Sequence, residues 1–179
     1  MSPGRSSRPT EDRAVVECPL RGFRDVALFC VFDGHAGAGA ADRAAALFPS
    51  LVAKRLGGRT PRADARANNN GAFEALRGAF LDADAAIARD VDGCAAAAVL
   101  VWRCPATGLA FAQAANVGDC RVALGRVGVD VAGRRADTAR FLTEAHVVET
   151  NARERERLER DHGIAVAPGT VRVGGMRTT

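Results

Sequence analysis

Three consecutive residues, Asp33, Gly34 and His35, combine groups that could do chemistry together. A carboxylate such as that of Asp33 is a hard oxygen ligand for Mg²⁺ or Mn²⁺, and an imidazole such as that of His35 gives or takes a proton near neutral pH. Glycine has no Cβ, so the carbonyl of Gly34 can approach a metal ion closely. Asp-Gly is also common in turns, and in that interpretation His35 would be merely exposed, without a chemical role.

Two further acidic residues, Glu11 and Asp12, precede the first predicted strand, and Arg8 lies close before them. Phosphoryl transfer with two metal ions needs several carboxylates around the cations and a basic group on the phosphate. Glu11, Asp12 and Arg8 could supply these groups. Local sequence alone leaves open a simpler interpretation, in which the acidic pair is only solvated at the start of a strand.

The hydrophobic pattern predicts the elements that must position these residues. Residues 26–32 are apolar at every position, which predicts a central strand buried on both faces and ending at Asp33. Residues 14–17 predict a short strand before it. Residues 42–56 have apolar side chains at helical spacing and end at Gly57, which predicts a helix with a glycine stop.

The rest of the chain predicts a second helix, an antiparallel series of strands and a surface helix. The strands are joined by short turns, which favours antiparallel pairing. In the surface helix, Glu149 and Arg153, and likewise Glu156 and Arg160, are predicted ion pairs. The predicted ranges are a helix at 73–87, strands at 95–102, 109–115, 121–124 and 141–142, the surface helix at 149–160, and final strands within 164–173.

Composition limits the class of protein. The chain has 179 residues, 47% of them hydrophobic, which suits one domain with a sizeable core. No apolar run reaches the roughly 18 residues of a spanning helix, and no signal-peptide pattern is present. The 25 basic residues are interspersed with 21 acidic ones, so nucleic-acid binding is not expected. We expect a monomer inside the cell, cytoplasmic or nuclear.

Five cysteines lack any paired spacing, which favours neither a zinc site nor a disulfide framework. Cys18 and Arg24 have the C-x5-R spacing of thiolate phosphatases, in which the loop leads into a helix. Here the loop leads into the strand predicted from Val26. An ordinary turn cysteine is the better interpretation.

Taken together, four blocks, two of them made of two segments each, resemble in order the metal-dependent serine/threonine protein phosphatases of type 2C, the PPM family. RPTEDR resembles the family's R-P-x-M-E-D-R block, and LFCVFDGHAG resembles F-x-V-F-D-G-H-G-G. GCAAA with ANVGDCR resembles G-S-T-A with A-N-x-G-D-S-R. LTEAH with NARERERL resembles L-T-x-D-H with N-P-x-E-x-x-R-I. These segments occupy residues 8–13, 28–37, 93–97, 115–121, 142–146 and 151–158.

The resemblance implies an α+β fold, an α-β-β-α sandwich of two antiparallel sheets flanked by helices, with a centre for two Mg²⁺ or Mn²⁺ ions at one end. It implies that Asp33 bridges the ions, that Gly34 binds one through its carbonyl, and that Glu11 and Asp12 hold metal or its waters. Arg8 would bind the substrate phosphate. His35 would protonate the leaving oxygen of phosphoserine or phosphothreonine while metal-activated water attacks phosphorus.

The chain also departs from the family pattern. The aspartate of L-T-x-D-H is replaced by Ala145, and cysteines stand at positions 94 and 120 where the family has serine. The family's R-A-x-G-D element would begin near the end of the chain, so we expect residues 1–10 to be a flexible arm and 11–179 to form a partial domain lacking its C-terminal part. The function implied is a phosphoprotein phosphatase. The alternative is a catalytically inactive pseudophosphatase that acts as a protein-binding or regulatory module.

Overall fold

A four-stranded antiparallel sheet is the centre of the computed structural model, which describes residues 9–61, 71–87 and 91–165. Its strands, in spatial order, are β1 (Arg13–Glu17), β2 (Val26–His35), β3 (Gly93–Arg103) and β4 (Ala110–Val117). Two helices, α1 (Gly39–Leu56) and α2 (Ala72–Ile87), lie between β2 and β3 in the chain. A two-stranded sheet follows, formed by β5 (Ala123–Arg126) and β6 (Thr138–Phe141), and then α3 (Ala152–His162). The predicted α+β class with two antiparallel sheets is confirmed.

The core lies between the four-stranded sheet and the two helices. Phe48 of α1 is fully buried, and its ring contacts Phe32 of β2 in an edge-to-face arrangement at 5.7 Å and Phe80 of α2 at 4.6 Å. Burial of such aromatic side chains contributes most of the stabilisation available to a small core. Trp102 is 2% exposed and stacks on Phe111, as expected of a core side chain.

The prediction that β2 is buried on both faces is wrong for the part of the chain that the structure describes. Alternate residues from Val26 to Phe32 are buried beneath the helices, whereas Phe29 and Val31 are 39% and 50% exposed on the other face. An apolar run predicts burial but does not say how many layers cover it. Within the described residues, both strands of the small second sheet are exposed along their whole length.

Two helix predictions need correction in detail. Helix α1 begins at Gly39, three residues earlier than predicted, because the Asp92 carboxylate accepts a hydrogen bond from the Ala40 N–H and caps the helix from a distant part of the chain. Helix α3 begins at Ala152, after an Asn151 side-chain cap. Glu149 therefore lies before the helix.

The predicted ion pairs of α3 are also wrong. Arg153 pairs with Glu144 at 3.3 Å, and Arg160 pairs with its neighbour Asp161 at 2.8 Å. The remaining pair joins Arg157 to Glu154 at 2.7 Å. Most of the final strands predicted within 164–173 lie outside the described residues. No helix in the described ranges is both long and apolar enough to span a bilayer.

Candidate metal centre

Strand direction brings the predicted site residues to one edge of the sheet. β2 and β4 are each antiparallel to β3, so both run toward the same edge. Asp33, Gly34 and His35 are the last three residues of β2, and the turn Gly118-Asp119-Cys120 follows β4. Residues separated by more than eighty positions in sequence therefore meet at the ends of two strands.

The register of β1 adds the acidic pair. Arg13 lies opposite Phe32 in the antiparallel ladder, which places Asp12 beside Asp33 and Glu11 beside Gly34. A Cβ at Gly34 would lie only 2.5 Å from the Glu11 carbonyl oxygen, so the glycine is needed for this close approach. The structure thus brings together four of the predicted residues: Glu11, Asp12, Asp33 and Gly34.

Arg13 holds the acidic segment in place. Its guanidinium donates hydrogen bonds to the main-chain oxygens of Thr10 and Asp12, at 3.1 and 2.7 Å, and to the carboxylate of Asp42 in α1. One side chain therefore ties the start of β1 to the first helix. Its planar fork of donors suits several acceptors at once.

Negative charge is concentrated around Asp33. Burial first, and then the neighbouring charges of Asp12 and Asp119, raise the pKa of Asp33 above its ordinary value, while His35 acts in the opposite direction. A bound cation would relieve this repulsion.

His35 is exposed at the end of β2, and its ring lies against Gly93 on the adjacent strand. A Cβ on Gly93 would lie 2.6 Å from Cε1 and 2.8 Å from Nε2 of the imidazole. The missing side chain at position 93 therefore leaves the space that the ring occupies. His35 is held beside the carboxylates and remains accessible to solvent.

The chain leaves β2 through a turn that needs unusual backbone angles. Ala36 has φ +61° and Gly37 has φ +136°, both in the left-handed region. A Cβ on Gly37 would approach the Asp92 carboxylate to 3.1 Å. This turn connects the candidate site directly to the start of α1.

Asp119 and Cys120 are the site residues that sequence reasoning missed. One carboxylate oxygen of Asp33, one of Asp119 and the Sγ of Cys120 all lie within 4.8 Å of one another. Asn116 fixes the turn, because its side-chain amide donates to the carbonyl oxygens of Cys120 and Glu144, at 2.8 and 2.7 Å. The signal that could have found Asp119 was its place directly after a strand running toward the same edge as β2.

Two thiols face this acidic environment. Burial, followed by the charges of Asp33 and Asp119, raises the pKa of the Cys120 thiol to about 11. Cys94, which lies opposite Gly34 in the β2–β3 register, has a pKa raised mainly by burial and then by Asp92 and Asp33. Without a metal ion both thiols stay protonated at neutral pH.

The donor set fits a divalent cation. Carboxylates and a main-chain carbonyl are the oxygen ligands that Mg²⁺ and Mn²⁺ take in proteins, and here they converge on one edge. Arg8 lies outside the described residues. Cys18 and Arg24 line a separate cavity of about 270 Å³ at the opposite end of β2, and their loop leads into a strand, which agrees with the interpretation of Cys18 as a turn cysteine.

Solved structures support the fold. A serine-threonine phosphatase 2C from Toxoplasma gondii superposes with a TM-score of 0.56 at 21% identity, over 86% of this chain and 51% of that one. A C. elegans sex-determining protein superposes with a TM-score of 0.59 at 19% identity, over 94% of this chain and 39% of that one. At these identities the likeness concerns the fold alone.

Sequence comparison identifies the family. Protein phosphatase 2C 70 from Arabidopsis thaliana is 33% identical over 179 residues, and probable protein phosphatase 1N from Homo sapiens is 35% identical over 151 residues. This chain spans 28% and 29% of the lengths of those relatives. The sequence model described as Protein phosphatase 2C matches residues 5–178. The chain therefore belongs to the protein phosphatase 2C family.

Proposed function

We propose that this chain carries part of the active site of a metal-dependent protein serine/threonine phosphatase, which hydrolyses phosphoserine or phosphothreonine by metal-activated water. The observation that supports this proposal is the convergence of Asp12, Asp33 and Asp119 at one sheet edge, beside the Gly34 carbonyl and the His35 imidazole. Membership of the phosphatase family supports the proposed reaction class, and the carboxylate cluster supports the proposed location of the site.

Mg²⁺ or Mn²⁺ would be held by the Asp33 carboxylate and the Gly34 carbonyl, with Glu11, Asp12 and Asp119 as further oxygen donors. When bound, these ions would supply positive charge to the phosphoryl group and acidify water at the site. The exposed edge leaves room for a phosphorylated side chain to approach. Arg8 is proposed to bind the phosphate, because its guanidinium matches two phosphate oxygens at once.

His35 would donate a proton to the leaving oxygen. Its ring stands beside the carboxylate cluster and is open to solvent, and an imidazole can both donate and accept a proton. Protonation of the serine or threonine oxygen as the ester bond breaks would avoid the release of an alkoxide. Gly93 contributes by leaving space for the ring in this position.

The first experiment measures Mn²⁺-dependent phosphate release from a phosphothreonine peptide, by the chain as given and by the chain extended through any coding sequence that follows. Asp33→Asn is expected to lower kcat at least about 100-fold, because it removes a ligand charge at the centre of the cluster. Asp137→Asn is the matched control, because Asp137 pairs with Arg135 in the exposed hairpin. Undiminished turnover by Asp33→Asn would refute the mechanism.

The alternative of a pseudophosphatase rests on Ala145, which replaces an aspartate of the family pattern. It predicts a protein that folds and binds a partner whether or not EDTA is present, and whether or not Asp33 is replaced. Absence of turnover in every length of the chain, together with absence of Mn²⁺ binding by calorimetry, would favour this second function.

A further inference from the structure

A two-stranded ribbon leads directly away from the candidate metal centre. Its pairing begins at Val122, two residues after Cys120, where the Leu142 N–H donates a hydrogen bond to the Val122 carbonyl oxygen. The ladder continues through β5 and β6, and every residue of these two strands is exposed. The ribbon therefore offers an accessible surface that begins beside the proposed site.

One face of the ribbon is basic. Leu124 lies opposite Arg140, and Arg126 lies opposite Thr138, so these four residues share a face. The two arginines are diagonal neighbours across the strands, roughly 7 Å apart. Among the described residues, no carboxylate lies within ion-pair distance of either guanidinium. Two positive charges on this face are therefore left for an external anion.

The arginines near the tip of the ribbon are already paired. Arg134 pairs with Asp130 at 3.1 Å, and Arg135 pairs with Asp137 at 2.5 Å. Their charges are compensated locally, and their carboxylates would repel an anion that extended over the tip. The attraction for an anion is therefore concentrated on β5 and β6.

The distance from the site determines which part of a substrate would reach these arginines. Arg140 lies opposite Leu124, four residues beyond Cys120, and Arg126 lies six residues beyond Cys120. At about 3.3 Å per residue, these positions are roughly 13 and 20 Å along the ribbon. An extended phosphopeptide has a similar rise per residue. Its side chains about four to six positions from the phosphorylated residue would therefore lie over the two arginines.

We propose that Arg126 and Arg140 bind an acidic segment of the phosphoprotein substrate, with glutamate or aspartate about four to six positions from the phosphorylated residue. This inference rests on the proposed phosphatase function. A guanidinium donates to both oxygens of a carboxylate, and Leu124, 46% exposed between the strands, offers contact to the aliphatic part of glutamate. A nucleic acid fits this face less well, because appreciable binding needs several phosphate contacts and the face offers two uncompensated charges.

The test measures binding of two labelled peptides by fluorescence anisotropy with Mn²⁺ present. Both carry a non-hydrolysable phosphonate analogue of phosphothreonine, and one has glutamate where the other has glutamine, four to six positions away on both sides. The full chain is expected to bind the glutamate peptide about 5-fold more tightly, since each exposed arginine–carboxylate pair contributes modestly. The double variant Arg126→Gln with Arg140→Gln is expected to lose this preference, and circular dichroism confirms that it is folded.

A matched control removes the same charge elsewhere. Arg21 and Arg24 are exposed in the loop before β2, at the end of the sheet opposite the site. The double variant Arg21→Gln with Arg24→Gln should keep the preference for the glutamate peptide. The proposal is overturned by equal binding of the two peptides to the unmodified chain, or by a preference that persists in the ribbon variant. Tighter binding of a single-stranded oligonucleotide of equal net charge, lost in the same variant, would instead assign the face to nucleic acid.

A small substrate separates this inference from the phosphatase proposal. p-Nitrophenyl phosphate is too short to reach Arg126 or Arg140, so the ribbon variant is expected to hydrolyse it at the unmodified rate. If no length of the chain hydrolyses it while the glutamate preference remains, the phosphatase proposal fails and docking of an acidic segment stands. If the ribbon variant loses p-nitrophenyl phosphate turnover as strongly as peptide turnover, the docking role is contradicted.

Discussion

Two parts of the molecule are stabilised by different forces. In the packed part, which comprises the described residues up to 117, the helices and the four-stranded sheet bury leucine, valine and phenylalanine side chains. In the polar part, residues 118–165, both strands of the hairpin are exposed, and α3 buries only Glu154 and Leu158 of its own residues. Hydrogen bonds and ion pairs hold much of the polar part.

The candidate site lies where the two parts meet. Asp33 and His35 stand on β2, and Asp12 directly precedes β1, in the packed part, whereas Asp119 and Cys120 lie at the start of the polar part. Asn116 joins them, since it is the residue of β4 whose amide reaches the carbonyls of Cys120 and Glu144. Strands with a buried face give the carboxylates a rigid support, and a few hydrogen bonds complete the cluster.

The largest expected effect contrasts two phenylalanines, one in each part. Phe48→Ala should lower the free energy of unfolding by about 3–5 kcal/mol, because it leaves a cavity between Phe32 and Phe80. Phe141→Ala in the hairpin should cost less than about 1 kcal/mol, because this ring is 59% exposed and is covered mainly by the Arg121 guanidinium, 3.9 Å from its centroid. Urea unfolding followed by circular dichroism measures both, and equal losses would remove the distinction between the parts.

The second prediction concerns a buried charge in the polar part. Glu154 is 3% exposed and accepts hydrogen bonds from Arg157, which is the main cause of its lowered pKa. Glu154→Gln should cost about 1–2 kcal/mol at neutral pH, because it removes the charge that pairs with Arg157. Glu144→Gln is the control, since Glu144 is 66% exposed and pairs with Arg153 at 3.3 Å, and little change is expected.

The pH dependence of this pair has a definite sign. Because the folded pKa of Glu154 lies below the ordinary carboxyl value of 4.5, its contribution is complete above that value and is lost as the pH falls through the folded pKa. The stability difference between the unmodified chain and Glu154→Gln should therefore shrink in acid. A difference that grows on acidification would show that Arg157 does not stabilise the charged form.

The smallest expected effect concerns the turn after the site. Ala36 adopts φ +61°, a conformation that costs an L-residue more than glycine, so Ala36→Gly should raise the free energy of unfolding by about 0.5–1 kcal/mol. The same substitution at Ala46, exposed within α1, should lower it by about 1 kcal/mol. Thermal unfolding of the two variants compares them directly. A loss of stability in both variants would mean that the turn accommodates Ala36 without strain.

Local sequence was sufficient to identify much of the fold and the first part of the site. Apolar periodicity predicted β2, both central helices and the antiparallel series, because alternation and helical spacing reflect which side chains are buried. Asp33, Gly34 and His35 stood out because their types suit metal and proton chemistry. Glu11 and Asp12 were identified in the same way, and the register of β1 then placed them beside Asp33 and Gly34.

Contacts between distant segments were decided only by the tertiary structure. The Asp92 cap on α1 and the pairing of Arg153 with Glu144 join residues whose proximity no local spacing encodes. One exposed face on β2 likewise follows from the layers that pack on it rather than from its own residues. Cys120 had no paired cysteine spacing and became a candidate ligand only because the antiparallel register of three strands brings the ends of β2 and β4 to one edge.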